Sequence, residues 1–315
     1  MDVMRPDAAR WILASLLAAV LMGGCVSVRA EKTTVPVPEE GLEAWLAERE
    51  AVVPDLVPGA EKTIVWAGER DQKTKHSLIY LHGFSATRQE IAPTLDRVAE
   101  EMGANLFYTR LAGHGRDGDA MGQAPLRAWK RDAMEAWEIG RRIGEEVVVV
   151  GTSTGAPLAA WLACGRGDIA AVVLISANFQ PANKAAKIVL WPGGRLITRL
   201  VVGKTRAFEP RNEAHARYWT TSYPSKALRP MMKACRLGER AKLEELTVPV
   251  LFLYTEHDDV VSLSALKEAY GRVGSPVKKL IDVKEAEDHV LAGDIISPQA
   301  TDAAVRHILT FLEVL

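Results

Sequence analysis

Val147-Val148-Val149-Val150-Gly151-Thr152-Ser153-Thr154-Gly155 is the stretch on which the reading of this chain turns. Four consecutive valines predict a strand buried on both faces, and a helix-forming segment, Ala156 to Cys164, follows at once. A Gly-x-Ser-x-Gly motif between a strand and a helix sits where a nucleophilic serine needs it. A serine hydroxyl is a weak nucleophile at neutral pH and needs exposure together with a base within hydrogen-bond reach. A tight, strained turn supplies the exposure. The flanking glycines let strand and helix approach closely.

Outward from this turn, short apolar runs alternate with helical patterns from about residue 61. The strand candidates are Thr63 to Trp66, Ser77 to Leu81, Asn105 to Thr109, Val147 to Val150, Ala171 to Ser176, Val250 to Tyr254 and Lys279 to Val283. A helix carrying Leu95, Val98, Ala99 and Met102 on one face should stop at Gly103. A second, Leu126 to Ile143, places Trp129, Ala133, Ala136, Trp137 and Gly140 at helical spacing, with both tryptophans expected in the core. Such alternation predicts an α/β protein with a mostly parallel, doubly wound sheet covered by helices. Residues 180 to 247 break the rhythm, with five prolines, many basic residues and no clear strand. A connection this long implies a lid or binding element, expected here as a helical cap.

Four chemistry-bearing positions each follow a predicted strand. His82-Gly83-Phe84 comes after Leu81, Ser153 after Val150, Asp258 after Tyr254 and His289 after Val283. In an open parallel sheet the carboxyl ends of the strands share one edge, and ligands bind there. Residues distant in sequence should therefore meet in one cleft.

On these residues the chain, over about 61 to 315, resembles the α/β-hydrolase family. The elbow matches at Gly151 to Gly155, and the order serine, acid, histidine matches Ser153, Asp258 and His289. The run Val248 to Val261 is similar to the family's acid-bearing strand and loop, with Thr255 where glycine is usual and Asp259 as a rival to Asp258. Glu287-Asp288-His289-Val290 and Leu111-Ala112-Gly113-His114-Gly115 resemble stretches of monoglyceride-lipase-like and carboxylesterase members. The resemblance implies that Ser153 attacks, His289 is the base and Asp258 orients it. It assigns the oxyanion hole to the backbone N–H groups of Phe84 and Thr154, with His82 positioning that turn and His114 shaping its own loop. No metal or cofactor is implied. His76, His215, His257 and His307 carry surface or packing roles by default.

The N-terminus reads differently. Arg5 and Arg10 precede an apolar run from Trp11 to Met22, shorter than the ~20 residues a membrane-spanning helix needs. Basic, apolar and small residues in that order read as an export signal over 1–24. Gly23-Gly24 before Cys25 resembles a lipoprotein cleavage site, with Met22 where leucine is usual, so Cys25 is the expected lipidation site of a bacterial envelope protein. Cleavage after Val28-Arg29-Ala30, giving a soluble exported protein, is the rival, and an uncleaved anchor or a mistaken start site the remaining reading. Residues 25–60 then form a tether and a lead-in helix near Glu39 to Glu50. The other two cysteines, Cys164 and Cys235, read as buried thiols, with a bridge between them left open.

A formal net charge of -1 and the lack of basic runs argue against nucleic-acid binding. The expected function is hydrolysis of carboxylic esters of acyl lipids or other hydrophobic alcohols and acids, at a membrane through the anchor. The alternatives are a peptidase or amidase of the proline-iminopeptidase type, and a silent envelope binding protein.

Overall fold

The computed structural model of this chain describes residues 35–315; the expected export signal and the expected lipidation site Cys25 lie outside the described residues. The described residues form nine strands: β1 (Thr63–Val65), β2 (Thr74–Leu81), β3 (Asn105–Tyr108), β4 (Gly144–Thr152), β5 (Ile169–Ile175), β6 (Thr205–Ala207), β7 (Ser222–Pro224), β8 (Val250–Tyr254) and β9 (Lys278–Asp282). The helices are α1 (Leu42–Ala51), α2 (Thr94–Met102), α3 (Gly118–Gln123), α4 (Leu126–Ile143), α5 (Gly155–Ala163), α6 (Gly194–Val201), α7 (Glu213–Tyr218), α8 (Leu228–Glu239), α9 (Leu263–Arg272) and α10 (Pro298–Leu312). None of the described helices is long and apolar enough to cross a membrane.

All seven strands expected for the sheet form one sheet in the order β1-β3-β2-β4-β5-β8-β9. Only β1 runs antiparallel, against β3. Chain order reverses between β2 and β4, which pair directly, so the loops after these two strands flank the switch point where ligands bind in such sheets. Alternate valines of β4 serve opposite faces. Val147 and Val149 pack with Trp129, Ala133 and Leu158, while Val148 and Val150 pack with Leu95, Ile308 and Phe311. This is why the run is apolar without interruption: neither face sees water. Trp129 and Trp137 lie in the core, as their helical spacing predicts.

Helix α2 stops at Gly103, whose φ of 57° closes the last turn in the left-handed region that glycine adopts without strain. Helix α1 packs Leu42 and Leu46 on the domain and buries Glu50. The region expected as a helical cap holds helices α6, α7 and α8 and also a short ribbon. Strands β6 and β7 form an antiparallel ribbon at 205–207 and 222–224 that patterning did not reveal. Three-residue strands pinned by one proline carry too few alternating positions to register as a period. Helix α8 closes against α5: a Cβ on Gly238 would stand 2.4 Å from the Pro157 Cβ.

Candidate active site

The turn after β4 is strained, as expected of an elbow, but Ser153 is buried there rather than exposed. Ser153 has φ of 50°, a left-handed conformation that costs a residue with a Cβ about 1–3 kcal/mol. The Ser153 N–H donates to the Ile175 carbonyl at 2.9 Å, and its own carbonyl accepts from Asn178 and Ala156. Those bonds over-determine the turn. The two glycines are needed for space: a Cβ on Gly151 would lie 2.6 Å from the Gly155 oxygen, and one on Gly155 would lie 1.9 Å from the Leu81 oxygen. Helix α5 thus starts against the end of β2, which brings the loop after β2 to the serine.

His289 bridges the other two expected residues. Its Nε2 lies 2.9 Å from Ser153 Oγ, and its Nδ1 lies 2.7 Å from Asp258 Oδ2. Asp258 is buried, and its Oδ1 accepts the N–H groups of Val260 and Val261 at 2.9 and 3.0 Å. A carboxylate held this way accepts only, so Nδ1 carries the proton and Nε2 is left to accept from the serine hydroxyl. Asp259 is exposed and takes no part. Burial alone would depress the His289 pKa; the hydrogen bond and charge of Asp258, with Glu90 and Asp288 behind them, outweigh it and hold the imidazole above its ordinary value.

Thr255, the departure from glycine, ties the acid loop to the histidine loop. Its buried hydroxyl donates to the Ala286 carbonyl at 2.6 Å.

The loop after β2 is fixed around His82. Its Nε2 accepts the Leu111 N–H at 2.9 Å, so Nδ1 must be the donor to the Gly83 carbonyl at 2.8 Å. Burial, with His114 and Arg110 nearby, pushes the His82 pKa well down, which keeps that neutral tautomer in place. Holding the Gly83 carbonyl on one side turns the Phe84 N–H of the same peptide to the other. Neither Phe84 nor Thr154 has a protein acceptor for its N–H among the described residues. The Gly83 backbone and the Ser153 side chain adjoin: a Cβ on Gly83 would be 3.3 Å from the Ser153 Cβ. His114 packs edge-on against His82 and Phe84 and tilts against Trp129, with burial taking its pKa down to about 4.

Several residues of the site were not legible in the sequence. Asp132 on α4 accepts the Ala112 N–H at 2.7 Å and lies 3.6 Å from the buried Lys62 ammonium, which also meets Glu135. Arg110 forks onto Glu50 of α1 through two bonds of 2.8 Å. These pairs fix the Leu111–Gly115 loop from behind. The one available signal was a helical face of α4 with Asp132 and Glu135 beside apolar neighbours, which reads as a solvated stripe until Lys62 arrives from another element. Glu90 is a third such residue. His76 pairs with Glu146, His215 packs on Trp219 in the cap, and His257 is exposed. Cys164 and Cys235 are free thiols, half-buried and buried. Among the described residues no cluster of three histidine, cysteine or carboxylate side chains could hold a metal ion.

The cap is fastened to this edge at both ends. Thr220 N–H donates to the Ser85 carbonyl at 2.7 Å, and the Tyr223 ring stands edge-on to Phe84 at 5.3 Å. Arg211 pairs with Asp288, and Asn212 donates to the Ile295 carbonyl at 2.9 Å.

Sheet order, elbow and the positions of the three side chains define an α/β-hydrolase fold. The family described as serine aminopeptidase, S33, matches residues 72–294, well over half the chain, and the protein belongs to it. It is 22% identical over 231 residues to a thermostable monoacylglycerol lipase of Bacillus sp. (strain H-257), covering 73% of this chain and 88% of that one. Among solved structures it resembles one described with LipS and LipT, two metagenome-derived lipolytic enzymes, with a TM-score of 0.67, 19% identity and 83% and 100% of the two chains covered. It also resembles a soluble variant of monoglyceride lipase from Saccharomyces cerevisiae, with a TM-score of 0.59, 12% identity and 83% and 97% coverage. The chain is thus a hydrolase of lipase- and esterase-like build.

Proposed function

We propose that the protein cleaves carboxylic esters of hydrophobic acyl groups through a covalent acyl-enzyme. The observation that carries this reading is the imidazole of His289 lying within hydrogen-bond distance of both Ser153 Oγ and Asp258 Oδ2. His289 Nε2 takes the hydroxyl proton as Ser153 Oγ bonds to the ester carbon, and the carbonyl oxygen becomes an oxyanion. The N–H groups of Phe84 and Thr154 receive that oxyanion, each worth about 3 kcal/mol of transition-state stabilisation. Collapse expels the alcohol, which takes the proton from His289. A water molecule, deprotonated by the same imidazole, then attacks the acyl-enzyme; the acid leaves and Ser153 recovers its proton. Asp258 holds the tautomer throughout and stabilises the imidazolium.

The preference for apolar esters is supported by the cap. Val189, Tyr223, Leu228 and Met232 of the cap form an apolar cluster with Met121 of α3, against which the Phe84 ring packs beside the oxyanion loop. The named activities of the bacterial and yeast relatives, monoacylglycerol and monoglyceride lipases, agree with such a substrate. A peptidase would hold a free amine with an unpaired carboxylate. Of the cap's five carboxylates, Glu244 and Glu245 are already engaged by Arg272 and Lys242, and Glu239 by Gln180, which leaves only the exposed Glu209 and Glu213 for an amine.

Export and attachment of lipid at Cys25 complete the proposal and would place the enzyme at a membrane. Mass spectrometry of the mature chain should find a diacylated Cys25 as the first residue; a chain starting at Glu31 would exclude the anchor. For the chemistry, Ser153→Ala should abolish turnover of p-nitrophenyl butyrate, a loss of about 10⁴-fold or more, with unchanged melting temperature. Retained turnover in that variant rejects the mechanism.

A further inference from the structure

Glu90 is buried beside this site and the reaction above gives it no role. It ends the short 3-10 turn Arg88–Glu90 that follows the oxyanion loop. Its Oε1 accepts the Tyr80 hydroxyl at 2.7 Å and the Gly83 N–H at 2.5 Å. A Cβ on Gly83 would lie 2.9 Å from its Oε2 and 3.3 Å from the Ser153 Cβ, so the carboxyl and the Ser153 side chain flank the same glycine. Its main chain carries the other half of the site. A Cβ on Gly293, in the histidine loop, would lie 2.2 Å from the Glu90 carbonyl oxygen, and Asp294 N–H donates to the Ala92 carbonyl at 2.9 Å.

We propose that Glu90 is a positioning residue that joins the oxyanion loop to the histidine loop, its carboxyl aiming the Gly83–Phe84 backbone at the oxyanion. This rests on the assignment of Ser153, His289 and Asp258 to ester hydrolysis.

The Gly83 residue is gripped at both polar groups, its carbonyl by His82 and its N–H by Glu90. With both fixed, the Phe84 N–H has one direction left. Loss of the carboxyl would leave a buried N–H unpaired and free the loop to rotate, which misplaces an oxyanion donor. A neutral acceptor of the same shape keeps the loop but removes the charge, and this separates the two roles.

The groups facing the pair are few. Around Glu90 stand the Tyr80 hydroxyl from β2, the His289 imidazole and, on its own turn, Arg88, whose guanidinium covers the Tyr108 ring. Around His289 stand Asp258, Glu90 and Asp288, the last paired with Arg211 of the cap. Burial lifts the Glu90 pKa to about 7, against the pull of the Gly83 N–H, the Tyr80 hydroxyl and the His289 charge. Its ionised form in turn raises the pKa of His289. Removing the charge must therefore lower the His289 pKa and move the acid limb of the rate profile to lower pH.

The test uses Glu90→Gln and Glu90→Leu in the full chain, with p-nitrophenyl butyrate turnover from pH 5 to 9 and thermal melts. Glu90→Leu should lower kcat by about tenfold to a hundredfold with KM changed less than about threefold. Glu90→Gln should keep kcat at the optimum within about fivefold while its kcat/KM acid limb shifts to lower pH. A folded Glu90→Leu with undiminished kcat, or an acid limb unmoved in Glu90→Gln, overturns the proposal. If the leucine variant fails to fold, the glutamine profile decides alone. Activity remaining in Ser153→Ala would instead strike the underlying mechanism, so the two failures are distinguishable.

Discussion

Strands β2, β4 and β5 bury their side chains between two helical layers, and the site's loops grow directly from them. The cap leaves Trp191, Leu196, Leu200 and Val201 largely in solvent and is fastened to the site edge by a few hydrogen bonds and one ion pair. At the sheet edge every backbone group near Ser153 has a reason to be where it is. The cap buries an apolar cluster of its own yet also displays apolar surface, as patches that meet hydrophobic molecules do. The contrast suggests that chemistry is set by the rigid half and substrate choice by the looser one, and each can be tested separately.

The largest effect should come from the rigid half. Asp258→Asn keeps the shape but leaves Nδ1 without its anionic acceptor, and kcat should fall about 10⁴-fold with little change in melting temperature. A loss under tenfold would show that Asp258 does not orient the base.

Behind the site, Arg110→Ala strands the Glu50 carboxylate. Burial pushes the Glu50 pKa up, but Arg110 and Lys62 pull it further down, so it ends below the ordinary value. Stability from this pair is therefore fully present above the unfolded carboxyl pKa and lost as pH falls through the folded one. The variant should lose about 3–5 kcal/mol in urea melts at pH 7. Less loss in acid, where the wild type has already surrendered this contribution, would confirm the sign.

Two smaller changes sharpen the comparison. Thr255→Val removes the donor to the Ala286 carbonyl and should cost about 1–2 kcal/mol of stability, read from thermal melts. The double change Leu200→Ser and Val201→Ser should leave butyrate esters untouched but lower kcat/KM for dodecanoate esters about threefold to tenfold. Equal effects on both chain lengths would break the proposed division between chemistry and choice.

Ser153, His289, Asp258 and the strands that carry them were legible because their signals are local. Four valines announce a doubly buried strand, glycines flank the serine where backbones touch, and each polar residue follows a strand end. Asp132, Glu50 and Glu90 gave no such signal. A carboxylate on a helix face looks solvated until Lys62, Arg110 or the Gly83 N–H meets it from another element. The β6–β7 ribbon was missed because its strands are too short to show a period.

The amino-acid order alone therefore determined the layered α/β architecture, the elbow and the candidates Ser153 and His289, since short-range sterics and strand burial write themselves into neighbouring residues. Only the folded chain decided that Asp258 rather than Asp259 faces the imidazole, that Thr255 laces two loops together, and that buried charges brace the site. Those are long-range pairings, and their free energy depends on water being excluded by partners far away along the chain.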